Sequence, residues 1–233
     1  MNIAIVGATG NVGRKTLEVL EKKGLTLGNL YLVASSKSAG KKIHFQGKDI
    51  IVSELENFDF SKVKIAFFAA GGKISEKFAE KAAKHCLVID NSSFFRMDPD
   101  VPLIVPQVNS DALNNIKKNI IANPNCSTAQ LVIALKPLHD LFVIKRIVVS
   151  TYQSVSGAGK ASMDELIKQT KLALDGKDIK SENFTKPIAF NAIPHIDLFS
   201  EDGYTKEELK MRNETRKILD DKIDLTATCV RLP

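Results

Sequence analysis

The chain has 233 residues, of which 44% are hydrophobic and 26% are charged, and its formal net charge is +6. This composition is typical of a globular protein, and we expect no membrane segment because no apolar run has the length of a transmembrane helix. The basic residues are spread along the chain without interleaved aromatics, which argues against nucleic-acid binding. Three widely separated cysteines (Cys86, Cys126 and Cys229) argue against a disulfide framework and favour a reducing, cytoplasmic location. We predict no metal site.

The first 24 residues have the pattern of a dinucleotide-binding unit. Residues 2–6 form a continuous apolar run, which predicts a buried parallel strand. A glycine-rich turn follows at residues 7–13, and apolar residues then recur at helical spacing until Gly24. Strand, glycine turn and helix are the context that a dinucleotide fingerprint requires. The spacing here is G-x-x-G-x-x-G, and a plain tight turn is the alternative interpretation.

The second predicted strand, residues 30–34, is followed by a loop that bears on cofactor choice. An NAD site usually places an acidic residue near this point to bind the ribose 2′-hydroxyl. Here the loop contains Ser35, Lys37 and Ser38 and no acid. Hydroxyl groups and a cation suit the 2′-phosphate of NADP, so we predict NADP over NAD. A solvated loop would have the same composition.

The next segments continue the alternation of strands and helices. Residues 43–52 predict a hairpin, and two further buried strands at 63–70 and 87–90 flank a helix at 73–84. This order favours a doubly wound α/β sheet, which binds ligands at the carboxyl ends of its strands. A polar loop after the strand at 87–90 contains Arg96, a residue type that suits phosphate or carboxylate but is more often a surface charge.

Residues 123–128 contain a candidate nucleophile, Cys126. Cys126 precedes an apolar run that predicts a buried helix, and Ser127 and Thr128 suit the start of that helix. A thiol at a helix N-terminus is placed where thiolate is favoured, and the N–H groups there can bind an anion. We therefore predict a nucleophilic cysteine with an anion site, against the alternative of a small buried cysteine.

The second half of the chain has a less regular order of predicted strands and helices than the first. A strand at 143–152 and a glycine-containing segment at 153–159 precede a helix at 161–175. An irregular stretch and a helix at 205–219 follow, and the pattern of this helix predicts a solvated face that carries Glu207, Lys210, Met211 and Glu214. The final strand, 225–231, has no predicted partner, which suggested an incomplete domain.

These motifs, in this order, closely resemble the aspartate-semialdehyde dehydrogenase family over the whole chain. Single motifs are shared with other phosphorylating aldehyde dehydrogenases, whereas the ordered set is specific. The resemblance implies an α/β protein with a Rossmann-type doubly wound NADP-binding domain at 1–126. It also implies an α+β catalytic and dimerisation domain at 127–233, truncated relative to the family. The matching segments are residues 7–13, 90–93, 95–97, 123–128, 150–153, 156–159, 207–210 and 229–233.

The resemblance also implies roles for individual residues. Cys126 is the nucleophile that attacks the aldehyde, and Gln153 orients the acyl intermediate. Arg231 binds the substrate carboxylate, and Glu207 binds the substrate amino group. The phosphate-site residues are Arg96, Asn125 and Lys210. The cofactor-binding residues are Gly7, Thr9, Gly10, Asn11, Val12, Gly13, Ser35, Lys37, Ser38, Gly71, Ser156, Gly157, Ala158 and Gly159.

The implied reaction is the reversible, NADPH-dependent reduction of L-4-aspartyl phosphate to L-aspartate 4-semialdehyde and phosphate, through a thioester on Cys126. It belongs to the biosynthesis of lysine, diaminopimelate, threonine and methionine. The family also implies a homodimer. The alternatives are an enzyme similar to N-acetylglutamyl-phosphate reductase and a truncated remnant that only binds nucleotide. Glu207 and Lys210 together favour the aspartyl substrate.

The family's general base is a histidine that lies just beyond the segment matching residues 230–233. None of the four histidines here fits that role, so we expect the 233-residue chain to turn over slowly, since general acid–base catalysis contributes roughly 10²–10⁴-fold. The four are His44, His85, His139 and His195.

Overall fold

The computed structural model describes residues 1–233, which form two compact units. The first unit contains residues 1–133 and 217–219, and the second contains residues 134–216 and 220–233. The division falls within two helices, so that each unit receives a part of both. No helix of the structure combines the length and the apolar character needed to cross a lipid bilayer.

The first unit is built on a six-stranded parallel sheet in the order β5-β2-β1-β6-β7-β8. The chain winds from β1 outwards to β5, returns to the centre at β6 and winds outwards again to β8. This confirms the predicted doubly wound α/β fold. The six strands are β1 (Ile3–Val6), β2 (Leu30–Ala34), β5 (Ser53–Glu54), β6 (Ile65–Phe68), β7 (Leu87–Asp90) and β8 (Ile120–Ala122).

Strands β3 (Lys42–Phe45) and β4 (Lys48–Ile51) form the predicted antiparallel hairpin. The helices of the first unit are α1 (Asn11–Lys22), α2 (Gly72–Ala83), the short α3 (Pro106–Asn109) and the beginning of α4 (Cys126–Phe142). In α1 the buried face carries Leu17 and Leu20, whereas Val12 and Val19, which also fit the helical spacing, are exposed.

The second unit contains a two-stranded parallel sheet, the end of α4, a short 3-10 turn and two further helices. Strands β9 (Arg146–Ser154) and β10 (Asp224–Leu232) pair along nine residues. The prediction that the last strand has no partner is therefore wrong, because β9, which is distant in sequence, lies beside it. Helices α5 (Lys160–Leu174) and α6 (Lys206–Ile218) follow β9, and residues 175–205 between them are mostly irregular, as predicted.

Two predictions about α4 and its surroundings require correction. The apolar run at residues 129–135 was expected to form a buried helix, yet Ile133 within it is 45% exposed, and beyond it Leu141 and Phe142 are exposed by 74% and 75%. An apolar run shows only that its residues favour burial, and in this chain only part of the helix surface is covered. The following strand begins at Arg146 instead of residue 143, because Val143 adopts a positive φ of 54° after the end of α4.

Candidate active site

The glycine turn after β1 has the packing that its spacing predicts. Gly7 has a φ of 86°, and a Cβ built there lies 2.7 Å from the Ala69 carbonyl oxygen. At Gly13 a Cβ lies 2.3 Å from the Gly7 carbonyl oxygen, so only glycine lets α1 approach the turn this closely. Gly10 precedes α1 without a side-chain cap, which leaves the first N–H groups of the helix directed towards the turn. Such a helix start suits the phosphates of a dinucleotide.

A cavity of about 460 Å³ lies at the carboxyl ends of the central strands. The glycine turn forms one wall with Gly7, Thr9 and Gly10, and Ser35 and Ala69 also line the cavity. This is the point where the strand order reverses between β1 and β6, the usual ligand position in such sheets. The residues present therefore fit a dinucleotide.

The loop after β2 approaches the glycine turn. The Thr9 hydroxyl donates to the Ser38 hydroxyl at 3.4 Å, and Lys37 lies exposed in the same loop.

The structure also adds an acidic residue that sequence reasoning missed. Glu54 pairs in register with Ala34 and lines the cavity, although it lies 20 positions later in the chain. Only the strand register, which places β5 beside β2, reveals this neighbour.

The loops after β7 and β8 are tied together by Arg96, which is buried. Its guanidinium donates through Nε to the Asn123 carbonyl oxygen at 2.9 Å and through Nη2 to the Asn91 carbonyl oxygen at 3.1 Å. The Asn123 side-chain amide also donates to the Asn91 side-chain oxygen at 2.8 Å. Arg96 is therefore not the surface charge that its isolated position first favoured, and it lies at the edge of the sheet where ligands bind.

The backbone around Arg96 is held by Lys217, which sequence reasoning did not single out. The Lys217 ammonium donates to the carbonyl oxygens of Arg96, Asp98 and Val101 at 2.8, 2.7 and 2.9 Å. Three charge-assisted hydrogen bonds from one group fix the turn that follows Arg96. Lys217 belongs to the same unit as Arg96 but lies 121 positions after it in the sequence. No local sequence pattern could therefore have identified this contact.

Cys126 is the first residue of α4, and its side chain is exposed. The preceding Asn125 caps the helix: its carbonyl accepts from Ala129 N at 2.9 Å, and its side-chain oxygen accepts from Cys126 N at 3.0 Å. The Cys126 Sγ lies 3.7 Å from the same Asn125 oxygen. An exposed thiol at the start of a helix is accessible to an electrophile and lies at the positive end of the helix dipole. The alternative of a buried cysteine does not hold for Cys126.

In the second unit, Gln153 and Arg231 are direct neighbours in the register of β9 and β10. The Gln153 side-chain oxygen accepts from the Thr151 hydroxyl at 2.8 Å, and its amide nitrogen donates to Glu207 at 3.0 Å. The buried Arg231 donates through Nη1 to the Ser154 carbonyl oxygen at 2.7 Å. Both side chains are thus fixed on one face of the sheet.

Helix α6 brings Glu207 and Lys210 to this face. The Glu207 carboxylate is buried and lies 3.4 Å from the Lys210 Nζ. Met211 and Glu214 are also buried, so the prediction of a solvated face is wrong for this helix. The reason is tertiary: α6 packs on β10, where Glu208 accepts from Cys229 N at 3.1 Å. The polar residues therefore face the protein and not the solvent.

The glycine-containing segment after β9 packs closely against Arg231. Residues Val155–Ala158 form a 3-10 turn, and Gly159 adopts a φ of 97° immediately before α5. A Cβ at Gly157 lies 3.3 Å from the Arg231 Nη1, so a side chain there would crowd the guanidinium. Arg231, Asp197 and Ala158 line a cavity of about 300 Å³, a volume suited to a small substrate.

The predicted site residues are thus divided between the two units. The first unit contains the nucleophile, part of the phosphate site and the larger part of the cofactor set: Gly7, Thr9, Gly10, Asn11, Val12, Gly13, Ser35, Lys37, Ser38, Gly71, Arg96, Asn125 and Cys126. The second unit contains Gln153, Ser156, Gly157, Ala158, Gly159, Glu207, Lys210 and Arg231.

The histidines have other surroundings. His44 lies 3.0 Å from Asp49 in the exposed hairpin, and His139 Nε2 lies 3.8 Å from Asp220 near the end of α4. His195 stacks on Phe199 with ring centroids 4.5 Å apart, and His85 is exposed after α2. The positions of His44, His85 and His139 fit structural or solvated roles, whereas His195 also lines the cavity of about 300 Å³ with Asp197 and Arg231.

Comparison with known proteins gives matches in both halves of the chain. Residues 2–116 match the family model for the semialdehyde dehydrogenase NAD binding domain, and residues 135–233 match the model for the semialdehyde dehydrogenase dimerisation domain. The aspartate-semialdehyde dehydrogenase of Aquifex aeolicus is 55% identical over 236 residues, covering 99% of this chain and 69% of the relative.

Solved structures agree with these matches. The crystal structure of aspartate semialdehyde dehydrogenase II from Vibrio cholerae, complexed with ASA, superposes with a TM-score of 0.97 at 52% identity. That match covers all of this chain and 70% of the other. The Candida albicans enzyme, solved with NADP, has a TM-score of 0.69 at 26% identity, with coverage of 100% and 67%.

Proposed function

This chain belongs to the aspartate-semialdehyde dehydrogenase family, and we propose that it catalyses the reversible NADPH-dependent reduction of L-4-aspartyl phosphate to L-aspartate 4-semialdehyde and phosphate. Family membership confirms the resemblance inferred from the ordered motifs. It also confirms the class of NADP-dependent phosphorylating dehydrogenase. The expectations of truncation and doubtful activity are not borne out, nor are the alternatives of a nucleotide-binding remnant and of an acetylglutamyl enzyme.

The observation that carries this proposal is the polar cluster on the β9–β10 face. It combines a buried carboxylate, Glu207, with two cations, Lys210 and Arg231, beside the amide of Gln153. Aspartyl phosphate carries an ammonium, a carboxylate and a phosphate. The carboxylate of Glu207 suits the ammonium, and the planar guanidinium of Arg231 suits the carboxylate. Lys210 is left for the phosphoryl group.

In the proposed chemistry, the Cys126 thiolate attacks the acyl carbon of aspartyl phosphate. A carbon–sulfur bond forms as the carbon–oxygen bond to phosphate breaks, and the phosphate leaves with the electron pair. Gln153 donates a hydrogen bond to the acyl oxygen, and Asn125 and Arg96 bind the phosphoryl group. NADPH, when bound, supplies the hydride that reduces the thioester to the aldehyde level, and the thiolate of Cys126 is then released with the semialdehyde.

For the cofactor, we propose that Gly7, Thr9, Gly10 and the start of α1 hold the pyrophosphate. The cavity of about 460 Å³ at the carboxyl end of β1 supports this assignment. The loop with Lys37 and Ser38 holds the 2′-phosphate. The remaining members of the proposed set are Asn11, Val12, Gly13, Ser35, Gly71, Ser156, Gly157, Ala158 and Gly159.

We further propose that the chain forms a homodimer through its second unit, because residues 135–233 match a dimerisation domain. A functional boundary between a cofactor domain at 1–126 and a catalytic domain at 127–233 is part of the same proposal. A cytoplasmic location is proposed from the use of cysteine, since three separated cysteines suit a reducing compartment.

The test is a steady-state assay of NADP⁺ reduction with aspartate semialdehyde and phosphate. We expect turnover that depends on both phosphate and the aldehyde, and we expect Cys126→Ser to lower it by about 10³-fold or more, since removal of a nucleophile abolishes the covalent path. Cys86→Ser is the matched control because Cys86 is buried in the first unit. Turnover retained by Cys126→Ser, or faster oxidation of N-acetylglutamate semialdehyde, would contradict the proposal.

A further inference from the structure

Residues 191–198, here named the Asp197 loop, are pinned at both ends beside the polar cluster. Ile193 N donates to the Arg231 carbonyl oxygen at 2.9 Å, and Arg231 N donates back to Ile193 at 2.8 Å. At the other end, Lys206 N donates to the Leu198 carbonyl oxygen at 2.8 Å. The buried Ile196 holds the middle of the loop. The loop is therefore fixed between the strand of Arg231 and the first residue of α6.

Asp197 occupies a backbone conformation that few residues adopt. Its φ is 69°, in the left-handed region, which Asp and Asn adopt more readily than other residues with a Cβ because their side chains can hydrogen-bond to the local backbone. Its Oδ1 accepts from Leu198 N at 2.8 Å, and its Oδ2 accepts from the Lys210 Nζ at 2.7 Å. This backbone conformation thus directs one carboxylate oxygen at its own loop and the other at α6.

Lys210 lies between two carboxylates and is closer to the one that sequence reasoning did not select. Its Nζ is 2.7 Å from Asp197 and 3.4 Å from Glu207. Burial alone would lower the pKa of Lys210, but the hydrogen bond that Lys210 donates to Asp197 and the charges of Glu207 and Asp197 outweigh burial and raise this pKa. Burial would likewise raise the pKa of Asp197, yet the hydrogen bond with Lys210 leaves it lowered. The raised pKa of Lys210 and the lowered pKa of Asp197 both favour the charged forms, and therefore the ion pair.

We propose that Asp197 is a positioning residue that holds the Lys210 ammonium in place for the phosphoryl group and limits the contact of this ammonium with Glu207 to the longer distance of 3.4 Å. The proposal rests on the function proposed above, in which Lys210 binds phosphate and Glu207 binds the substrate ammonium. If Asp197 were absent, Glu207 would be the nearest carboxylate to Lys210, and the ion pair that they already form at 3.4 Å would tighten and draw both groups away from the substrate. Asp197 also lines the cavity of about 300 Å³ with Arg231, which places it at the substrate.

The kinetic test compares Asp197→Gly with Asp197→Asn. Glycine adopts the left-handed backbone without strain and removes the carboxylate, whereas asparagine tolerates this backbone and keeps an oxygen acceptor for Lys210. We expect Asp197→Gly to raise the KM for phosphate by about 10-fold or more, as for loss of a charged hydrogen bond. Asp197→Asn should restore part of the affinity, and kcat at saturating phosphate should change less than KM.

The control is Asp202→Asn, which removes a carboxylate from an exposed turn outside the loop and should leave the KM for phosphate within about twofold, as expected for a surface substitution. Thermal melts of all variants separate loss of folding from loss of phosphate affinity. A KM for phosphate that falls or stays constant in both Asp197 variants would overturn the proposal. The proposal is also overturned if Asp197→Asn recovers none of the phosphate affinity that Asp197→Gly loses.

A second readout does not depend on turnover. Mass spectrometry can follow acetylation of Lys210 by acetic anhydride at pH 8, with the exposed Lys160 as the internal reference. Loss of Asp197 should speed modification of Lys210 relative to Lys160, because only one of the two carboxylates that keep the amine protonated then remains. An unchanged rate would contradict the positioning contact. If the wild-type chain fails to oxidise aspartate semialdehyde while this rate still rises, the proposed function fails and the contact stands.

Discussion

At the scale of single residues, the three cysteines have very different surroundings. Cys126 is exposed at the first residue of α4, whereas Cys86 and Cys229 are buried. Burial raises the pKa of Cys86 to about 11, and burial is also the main cause that raises the pKa of Cys229 to about 11. The two buried thiols therefore lack both access to solvent and a reactive thiolate near neutral pH.

We expect iodoacetamide at pH 8 to modify Cys126 first. At this pH a thiol with a pKa of about 11 is about 0.1% thiolate, so Cys86 and Cys229 should react at least about 100-fold more slowly. Peptide mass spectrometry of samples quenched over time gives the three rates. Modification of Cys86 or Cys229 at the rate of Cys126 in the folded chain would contradict this assignment.

The glycine turn gives a second prediction at this scale. Gly7→Ala should lower the free energy of unfolding of the first unit by about 2–4 kcal/mol, from a left-handed backbone together with a Cβ forced against Ala69. Gly24→Ala is the matched control: its φ is also positive, at 58°, but no atom lies within 4 Å of the added Cβ. Urea denaturation measures the free energy of unfolding of both variants. Equal losses in Gly7→Ala and Gly24→Ala would show that the close packing at Gly7 adds nothing to the cost of a side chain there.

At the scale of elements, the buried Glu165 of α5 organises the irregular segment that follows the helix. Its carboxylate accepts from the backbone N–H groups of Glu182 and Asn183 at 2.8 and 2.7 Å and from the Asn183 side chain at 2.7 Å. One turn later, the buried Gln169 side-chain oxygen accepts from Ile188 N at 2.7 Å. Two side chains of one helix thus take the place of regular secondary structure in fixing this segment.

We expect Glu165→Gln to lower the thermal midpoint, with a loss of about 1–3 kcal/mol because a buried charged acceptor is removed. Burial raises the pKa of Glu165, but its hydrogen bonds outweigh burial and leave the pKa lowered. A lowered folded-state pKa contributes stability that is present above the unfolded value and is lost as the pH falls through the folded value. The stability that Glu165→Gln loses relative to wild type should therefore be largest at pH 6–7 and should shrink below about pH 4.5.

The control for this change is Glu182→Gln. The Glu182 carboxylate pairs with Lys168 at the surface, and an exposed ion pair contributes only about 0–1 kcal/mol. Melts of both variants over the range from pH 3 to pH 7 separate the two cases. A pH-independent loss in Glu165→Gln would show that the charge of the carboxylate has no part in holding the segment.

At the scale of the whole molecule, large apolar side chains remain exposed on the second unit. On β9 the outward face carries Val148 and Tyr152, exposed by 70% and 71%, while Ile147 on the other face is buried. The second half of α4 exposes Leu141 and Phe142 as well. These exposed apolar groups lie in the part of the chain that matches a dimerisation domain, where a partner chain would cover them.

We therefore expect Val148→Asp to convert a dimer into monomers, because a charge in an apolar interface cannot be desolvated without a partner. Sedimentation velocity over a range of concentrations measures the association. Ile51→Asp is the control, since Ile51 is an exposed apolar residue on β4 in the first unit. A wild-type chain that stays monomeric, or equal effects of the two substitutions, would contradict dimerisation through this face.

Much of the first unit could be predicted because its signals are local. The apolar runs of β1, β2, β6 and β7, and the glycine turn before α1, follow from residues adjacent in sequence. The hairpin of β3 and β4 is also a short-range feature. Contacts that join distant residues could not be predicted in this way. Glu54 reaches the cavity at the carboxyl ends of the central strands only through the register of β5, and Lys217 reaches the Arg96 turn from far along the chain.

By itself, the sequence determined the family, the doubly wound fold, the cysteine at the start of a helix and the chemical types of the proposed site residues, because these depend on residue identity and local spacing. The tertiary structure decided which side chains are buried and which groups meet. It buried the charged face of α6, exposed the apolar end of α4 and paired Lys210 with Asp197. The physical reason is that burial and ion pairing depend on surfaces brought together by packing, which no stretch of residues specifies alone.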